Sequence, residues 1–207
     1  IQMVHNEAML QDHLNDSAGL LVLLPHMGNW ELLNVFFRLY GQMTALYQPP
    51  RQDYMQKVMQ KVRVRHGNYM VPTTRSGLKQ LYKTLREGGT AVILPDQVPA
   101  SGLFVPFFGH PALTDVLASR LLKKTGAKAL GITMVRNSEG LFEAHVLAPD
   151  SSIYEPDEVT SIRAVNDLMQ TCAEIAPKQY QWEYKRFRER PAGSEKIYRF
   201  NKPSGIH

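Results

Sequence analysis

Short apolar runs of strand length, Leu20–Pro25 and Leu130–Val135 the clearest, alternate along the chain with segments whose apolar residues recur at helical spacing. That alternation constrains the fold more than any other feature. A run that is apolar on consecutive residues reads as a strand buried on both faces, and the helices between such strands have to cover those faces. The expected class is therefore α/β, with a sheet that is parallel at its centre.

The pattern predicts helices over Val4–Leu14, Trp30–Tyr40, Asp53–Arg65, Gly77–Arg86, Thr114–Thr125 and Thr160–Ile175. Strands are expected over Leu20–Pro25, Met43–Tyr47, Tyr69–Pro72, Thr90–Leu94, Ala129–Arg136 and Leu141–Leu147. Ser76 is placed to cap one helix, while Gly88-Gly89 and Gly126 stop two others. Residues Pro95–Pro111 read as an irregular loop, and Asn137–Gly140 as a hairpin turn that makes the sheet mixed. No Gly/Ser/Pro linker divides the chain. The expectation is a single domain over residues 1–190, its mixed, mostly parallel central sheet flanked by helices, followed by a polar tail over 191–207.

Composition narrows the partners. Twenty-four Lys and Arg against 19 Asp and Glu leave a charge of +5, which favours nucleic acid, an anionic membrane face or a phosphorylated substrate. At 43% hydrophobic and 21% charged residues the chain is not disordered as a whole. One cysteine, Cys172, excludes an intramolecular disulfide framework and a cysteine-based structural zinc site. No apolar run reaches the roughly 18 residues of a bilayer span.

The segment Leu21–Glu31 carries the chemistry. A buried strand delivers His26 at its C-terminal end, the edge where α/β sheets bind ligands. Gly28 permits a tight turn, Asn29 can cap the next helix, and Glu31 falls in its first turn. Across such a strand–turn–helix junction the pair reads as an imidazole base whose second nitrogen is held by the Glu31 carboxylate. No Ser or Cys lies near His26 in sequence to serve as nucleophile, so the proton would come from a substrate hydroxyl that attacks an acyl donor directly. The backbone N–H groups around Gly28–Trp30 are the donors on offer to the oxyanion. The residues alone also fit a strand-end histidine with Glu31 as a helix N-terminal charge.

His26-Met-Gly-Asn-Trp-Glu31 resembles the HX4E/D motif of the lysophospholipid acyltransferase superfamily and, with Asn-Trp-Glu included, its lipid A biosynthesis branch, the late lauroyl/myristoyl acyltransferases. Three more blocks resemble that branch in order: Val92-Ile-Leu-Pro-Asp96-Gln97, Leu103-Phe-Val-Pro-Phe-Phe-Gly109-His-Pro-Ala112, and Gln179-Tyr-Gln-Trp182 continuing to Arg186-Phe-Arg188-Glu-Arg190-Pro191. The resemblance spans roughly residues 5–191. It implies a glycerol-3-phosphate acyltransferase-like fold, with His26 as base and Glu31 as its partner. It implies a fatty acyl thioester on acyl carrier protein or coenzyme A as donor, and a lipid A precursor as acceptor. No metal or organic cofactor enters the chemistry so implied. It also implies work at the cytoplasmic face of the bacterial inner membrane. The family carries an N-terminal anchoring helix ahead of the first block, so a start at Ile1 reads as truncation of a longer chain.

Other candidates follow from the same blocks. Where the family often has Tyr-Arg-Pro, this chain has Tyr47-Gln48-Pro49-Pro50, which shifts the expected cationic contact to Arg51. Arg75, in a Thr-Thr-Arg-Ser-Gly context, resembles a family arginine that would bind phosphate. Asn29, Asp96 and Gln97 are further substrate-binding candidates, and Asp96, after a buried strand parallel to the one bearing His26, could instead help position the catalytic pair. Trp30, Phe104, Phe107 and Phe108 are candidates for the acyl groove, and His110 for a second base. Lys57, Lys61, Arg63, Arg65, Lys185, Arg186, Arg188 and Arg190 form a basic footprint for an anionic membrane surface. Within the same chemistry, acceptors of phosphatidylinositol mannoside or lysophosphatidic acid type stay open. A metal-dependent hydrolase using His26, Glu31, Asp96 and His110, or a non-enzymatic binding module, is the alternative outside it. No nucleic-acid motif is present, so no nucleic-acid partner is expected.

Overall fold

The structure, a computed structural model, describes residues 1–47 and 68–198. The candidate contact at Arg51, the expected helix Asp53–Arg65 with its four basic residues, and the last part of the tail lie outside the described residues. Among the described residues seven strands form one sheet in the order β1-β9-β8-β2-β5-β3-β4. These are β1 (Met3–His5), β2 (Leu20–Leu23), β3 (Met43–Tyr47), β4 (Tyr69–Pro72), β5 (Thr90–Ile93), β8 (Lys128–Arg136) and β9 (Phe142–Leu147). The run β8-β2-β5-β3-β4 is parallel; β9 pairs antiparallel to β8, and β1 pairs parallel to β9. A separate hairpin joins β6 (Leu103–Phe107) to β7 (His110–Thr114). The mixed, mostly parallel sheet flanked by helices is the architecture that the alternation implies.

The central strand shows why consecutive residues are apolar. Leu20–Leu23 is buried throughout. Leu21 and Leu23 enter the core under α3 (Arg75–Arg86), α4 (Leu117–Thr125) and α5 (Glu158–Ile175). Leu20 and Val22, with Leu24 beyond them, enter the opposite core with Leu10 of α1 (Glu7–Leu14) and with Leu33 and Phe36 of α2 (Leu33–Phe36). Period-two alternation sends each strand residue into one core or the other. None of the described helices is long and apolar enough to cross a membrane.

Four expectations change. The predicted helix Val4–Leu14 splits: Asn6 turns left-handed (φ 60) and frees Met3–His5 to pair with β9, its side-chain amide donating to the Val146 carbonyl at 2.9 Å. Helix α3 begins at Arg75 with Thr74, not Ser76, as its cap. Gly77 in its first turn packs so close to β4 that a Cβ would stand 1.9 Å from the Pro72 carbonyl oxygen. The predicted loop Pro95–Pro111 contains β6 and part of β7, joined through Phe108 and Gly109, both at positive φ, and Thr114 belongs to β7 rather than to the following helix. The predicted helix Trp30–Tyr40 is a chain of single turns, 3-10 over Trp30–Leu32, α2, then 3-10 over Phe37–Leu39. That broken path turns Leu33, Phe36 and Phe37 inward and leaves Val35 and Leu39 exposed.

Candidate active site

The site follows from strand register. β2 and β5 are parallel neighbours with Leu23 opposite Ile93. Each runs out through a proline into a polar residue, Pro25-His26 on one and Pro95-Asp96 on the other. The two side chains therefore emerge together at the C-terminal edge of the sheet. His26 Nδ1 lies 2.6 Å from Asp96 Oδ1, and the His26 backbone N–H donates to Asp96 Oδ2 at 2.8 Å. A carboxylate can only accept, so the contact selects the tautomer of the neutral imidazole with its proton on Nδ1 and Nε2 as the acceptor. Asp96 is buried at 2% exposure, whereas His26 is partly open. The nitrogen that the sequence motif assigned to Glu31 is thus held by Asp96. Glu31 sits on the exposed start of the 3-10 turn, and its side chain makes no hydrogen bond to His26.

A second layer fixes Asp96 and the His26 loop. The C-terminal segment bridges to Met27 through Tyr180: Gly28 N–H donates to the Gln179 carbonyl at 2.9 Å and Gln181 N–H to the His26 carbonyl at 3.1 Å. Tyr180 is buried near Asp96; burial, then the Asp96 charge, push its pKa well above the ordinary phenol value. Gly28 approaches β8 so closely that a Cβ would stand 1.9 Å from the Met134 carbonyl oxygen. These contacts revise two expectations. The Gly28 and Asn29 amides are committed to Gln179 and Met134, so neither is free for an oxyanion; the Trp30 amide alone of the three has no such partner among the described residues. Asn29 makes no side-chain cap and lines a separate cleft with Arg136 and Phe142.

His26 opens into a cavity of about 480 Å³. Its floor is apolar and buried, made by Leu24, Leu33, Met43, Ala45, Val92 and Ile93. Its rim carries His26, Trp30, Glu31, Gln97 and Asp115. Trp30 meets the imidazole edge to face with centroids 5.6 Å apart. Gln97 is tied by its side chain to Gln181 at 3.3 Å.

The other candidates fall elsewhere. Phe107 is buried against Phe108, Tyr180 and Phe187, Phe108 packs on Trp182, and Phe104 is exposed; none of the three lines the cavity, because the hairpin packs on α5 and the C-terminal segment. Arg75 is exposed at the first position of α3, and Thr73, not Arg75, reaches the cavity wall. Arg186 is not part of a surface footprint. It is 3% exposed and donates to the Leu113 carbonyl and, at 2.8 Å, to Thr114 Oγ1. His110 meets Phe187 edge to face. Among the described residues His26, Glu31, Asp96 and His110 do not come together as a metal-ligand group. Asp96, 70 residues from His26 and expected from its strand end to help position the catalytic pair or an acceptor hydroxyl, is the group that holds Nδ1 directly, the place that the motif gave to Glu31; the matched Pro-His and Pro-Asp strand ends were the signal for that contact.

A family model described as bacterial lipid A biosynthesis acyltransferase matches residues 2–189. The chain is 27% identical over 185 residues to the lipid A biosynthesis palmitoleoyltransferase of Escherichia coli (strain K12), covering 88% of this chain and 60% of that protein. It is 26% identical over 200 residues to the lipid A biosynthesis lauroyltransferase of the same organism, covering 93% and 65%. The chain thus spans under two thirds of the length of these curated relatives. The crystal structure of a 1-acyl-sn-glycerophosphate acyltransferase from Thermotoga maritima aligns with 84% of this chain and 72% of its own at TM-score 0.48 and 13% identity, too loose a likeness to carry an assignment.

Proposed function

The chain belongs to the bacterial lipid A biosynthesis acyltransferase family, and from that premise we propose that it transfers a fatty acyl chain from an acyl carrier protein or coenzyme A thioester to a hydroxyl of a lipid A precursor. The observation that carries the reading is His26, held through Nδ1 by a buried carboxylate at the mouth of an apolar cavity. Asp96 fixes the tautomer, so Nε2 accepts the proton of the acceptor hydroxyl as its oxygen attacks the thioester carbonyl. A C–O bond forms, the C–S bond then breaks, and the departing carrier thiolate takes the proton back from Nε2. The products are an ester and a free thiol, and the sequence of steps calls on no metal or organic cofactor.

Glu31 acts from the open side of the imidazole. As a cavity-rim carboxylate it stabilises the imidazolium formed during transfer and accepts hydrogen bonds from the acceptor lipid. The floor from Leu24 to Ile93 takes the hydrocarbon chain, and a cavity of this size lies in the range of small-molecule sites. The +5 charge supports work at an anionic membrane surface, which we place at the cytoplasmic face of the inner membrane.

The test is an assay of purified protein with a panel of acyl donors, offered lipid A precursor or lysophospholipid acceptors, with products identified by mass spectrometry. An acyloxyacyl product on the lipid A precursor, absent with His26→Ala, is the expected result. Transfer to lysophospholipid alone would move the acceptor, and near-parental turnover by His26→Ala would sink the mechanism.

A further inference from the structure

The β1 edge of the sheet holds a cluster that the proposed reaction does not use. Parallel pairing of β1 with β9 sets His5 opposite His145 and Met3 opposite Glu143. Glu143 and His145 are two apart on one strand and so share a face, and His5 joins them across the ladder. We propose that His5, Glu143 and His145 bind a divalent first-row transition-metal ion of the zinc type.

Distance supports the assignment first. His5 Nε2 lies 2.9 Å and His145 Nε2 3.9 Å from the same carboxylate oxygen, Glu143 Oε2. The three ligand atoms lie within 4.8 Å of one another. A tetrahedral zinc ion with bonds of about 2.0–2.1 Å holds neighbouring ligand atoms roughly 3.3 Å apart, between the two observed separations. The imidazoles are stacked, with centroids 4.1 Å apart and planes 10° from parallel. Seating the ion turns both rings out of that stack, so that each ring plane meets the metal.

Chemistry supports it next. Two imidazoles and one carboxylate suit zinc, cobalt or nickel rather than magnesium or calcium, and three protein ligands leave a position for water. The carboxylate is already oriented: Asn137 Nδ2 donates to Glu143 Oε1 at 2.8 Å and is itself tied to Gln2 Oε1 at 2.9 Å. That leaves Oε2 aimed at the two histidines, the outer-shell arrangement that metal-ligating carboxylates show. A metal here would also pin β1, which is held to β9 over three register pairs.

The experiment uses the untagged full chain, stripped with chelator and titrated with zinc chloride by calorimetry at neutral pH, with magnesium chloride in parallel. One equivalent of zinc binds, magnesium gives no heat, and zinc raises the melting midpoint. His5→Gln, His145→Gln and Glu143→Gln each weaken zinc binding by more than about tenfold, and Asn137→Ala, which removes an outer-shell partner, weakens it by about tenfold. Each variant is read against its own far-UV circular dichroism without metal. Asn137→Ala alters no ligand atom but removes the acceptor of the Glu139 and Leu141 N–H groups in the hairpin turn, so saturable zinc binding by the parent chain decides the matter if a variant fails to fold. His26→Ala binds zinc as the parent does. Absence of saturable zinc binding, parental affinity in both histidine variants, or loss of binding in His26→Ala would each overturn the site.

Discussion

His26 and Asp96 stand at the same offset, three residues, beyond the register pair Leu23 and Ile93, and that common offset closes a 2.6 Å contact between residues 70 apart in the chain. The contact sets which imidazole nitrogen is free. Asp96→Asn keeps shape and volume but can donate to Nδ1, which favours the tautomer with its proton on the working nitrogen. We expect the turnover number for acyl transfer to fall by on the order of 10³–10⁴-fold. A melting temperature near the parent's would separate this from unfolding. Parental turnover would show that the contact does not orient the base.

Glu31 gives a different expectation. It shares the cavity with His26 without bonding to it, so Glu31→Gln leaves the His26–Asp96 pair intact and removes only the charge on the open side. Transfer falls by on the order of 10²-fold or more while stability is unchanged. Steady-state kinetics on the purified variant checks it; a rate within a few fold of the parent removes Glu31 from the mechanism.

Much of this site could be read along the chain, and what could not has a physical cause. His26 at a strand end, the helix-stopping Gly126 and the turn at Asn137–Gly140 are local signals, and local signals survive folding. Asp96 could be placed at a parallel strand end, but its contact with Nδ1 is not local: it depends on which strands are neighbours, and spacing along the chain gives that nitrogen to Glu31 instead. The β6–β7 hairpin was hidden because Pro106 and Pro111 argue against strands, yet they face each other in it. β1 has three residues and takes its identity from β9. Arg186 sits among tyrosine and charged residues and reads as surface until Phe107 and Thr114 close over it.

Gly28 is the point where the His26 loop touches β8. Its φ is 55, and an added Cβ would stand 1.9 Å from the Met134 carbonyl oxygen. Gly28→Ala therefore strains the backbone and pushes the loop off β8. We expect a loss of at least about 2 kcal/mol by denaturant unfolding, with transfer falling alongside it. A variant as stable as the parent would contradict the close approach.

Cys172 is fully buried on α5, and burial, with a smaller contribution from the Asp96 charge, pushes its thiol up to about 12. In the unfolded chain it returns to about 8.5. The folded value is the raised one, so the stabilisation it brings is complete below the unfolded value and is lost as pH climbs towards 12. Thiol reagents should leave the native protein unlabelled at neutral pH and label it once it unfolds. Cys172→Ala should flatten the decline of the melting temperature across that alkaline window. Rapid labelling of the native state would refute the burial.

Arg186 ties the C-terminal segment to β7. Its guanidinium is buried, donates to the Leu113 carbonyl and to Thr114 Oγ1, and lies over the Phe107 ring at 5.6 Å. Burial pulls its pKa below the usual arginine value, yet a planar fork is what these two acceptors require. A lysine ammonium keeps the charge but cannot reach both acceptors and stack on the ring. Arg186→Lys should cost about 2–3 kcal/mol, measured as a lower denaturant midpoint at an unchanged slope. The same segment, through Gln179, Tyr180 and Gln181, clamps the His26 loop, so a loosened tail should lower the turnover number as well. Full stability in Arg186→Lys would mean that charge, not the fork, holds the segment.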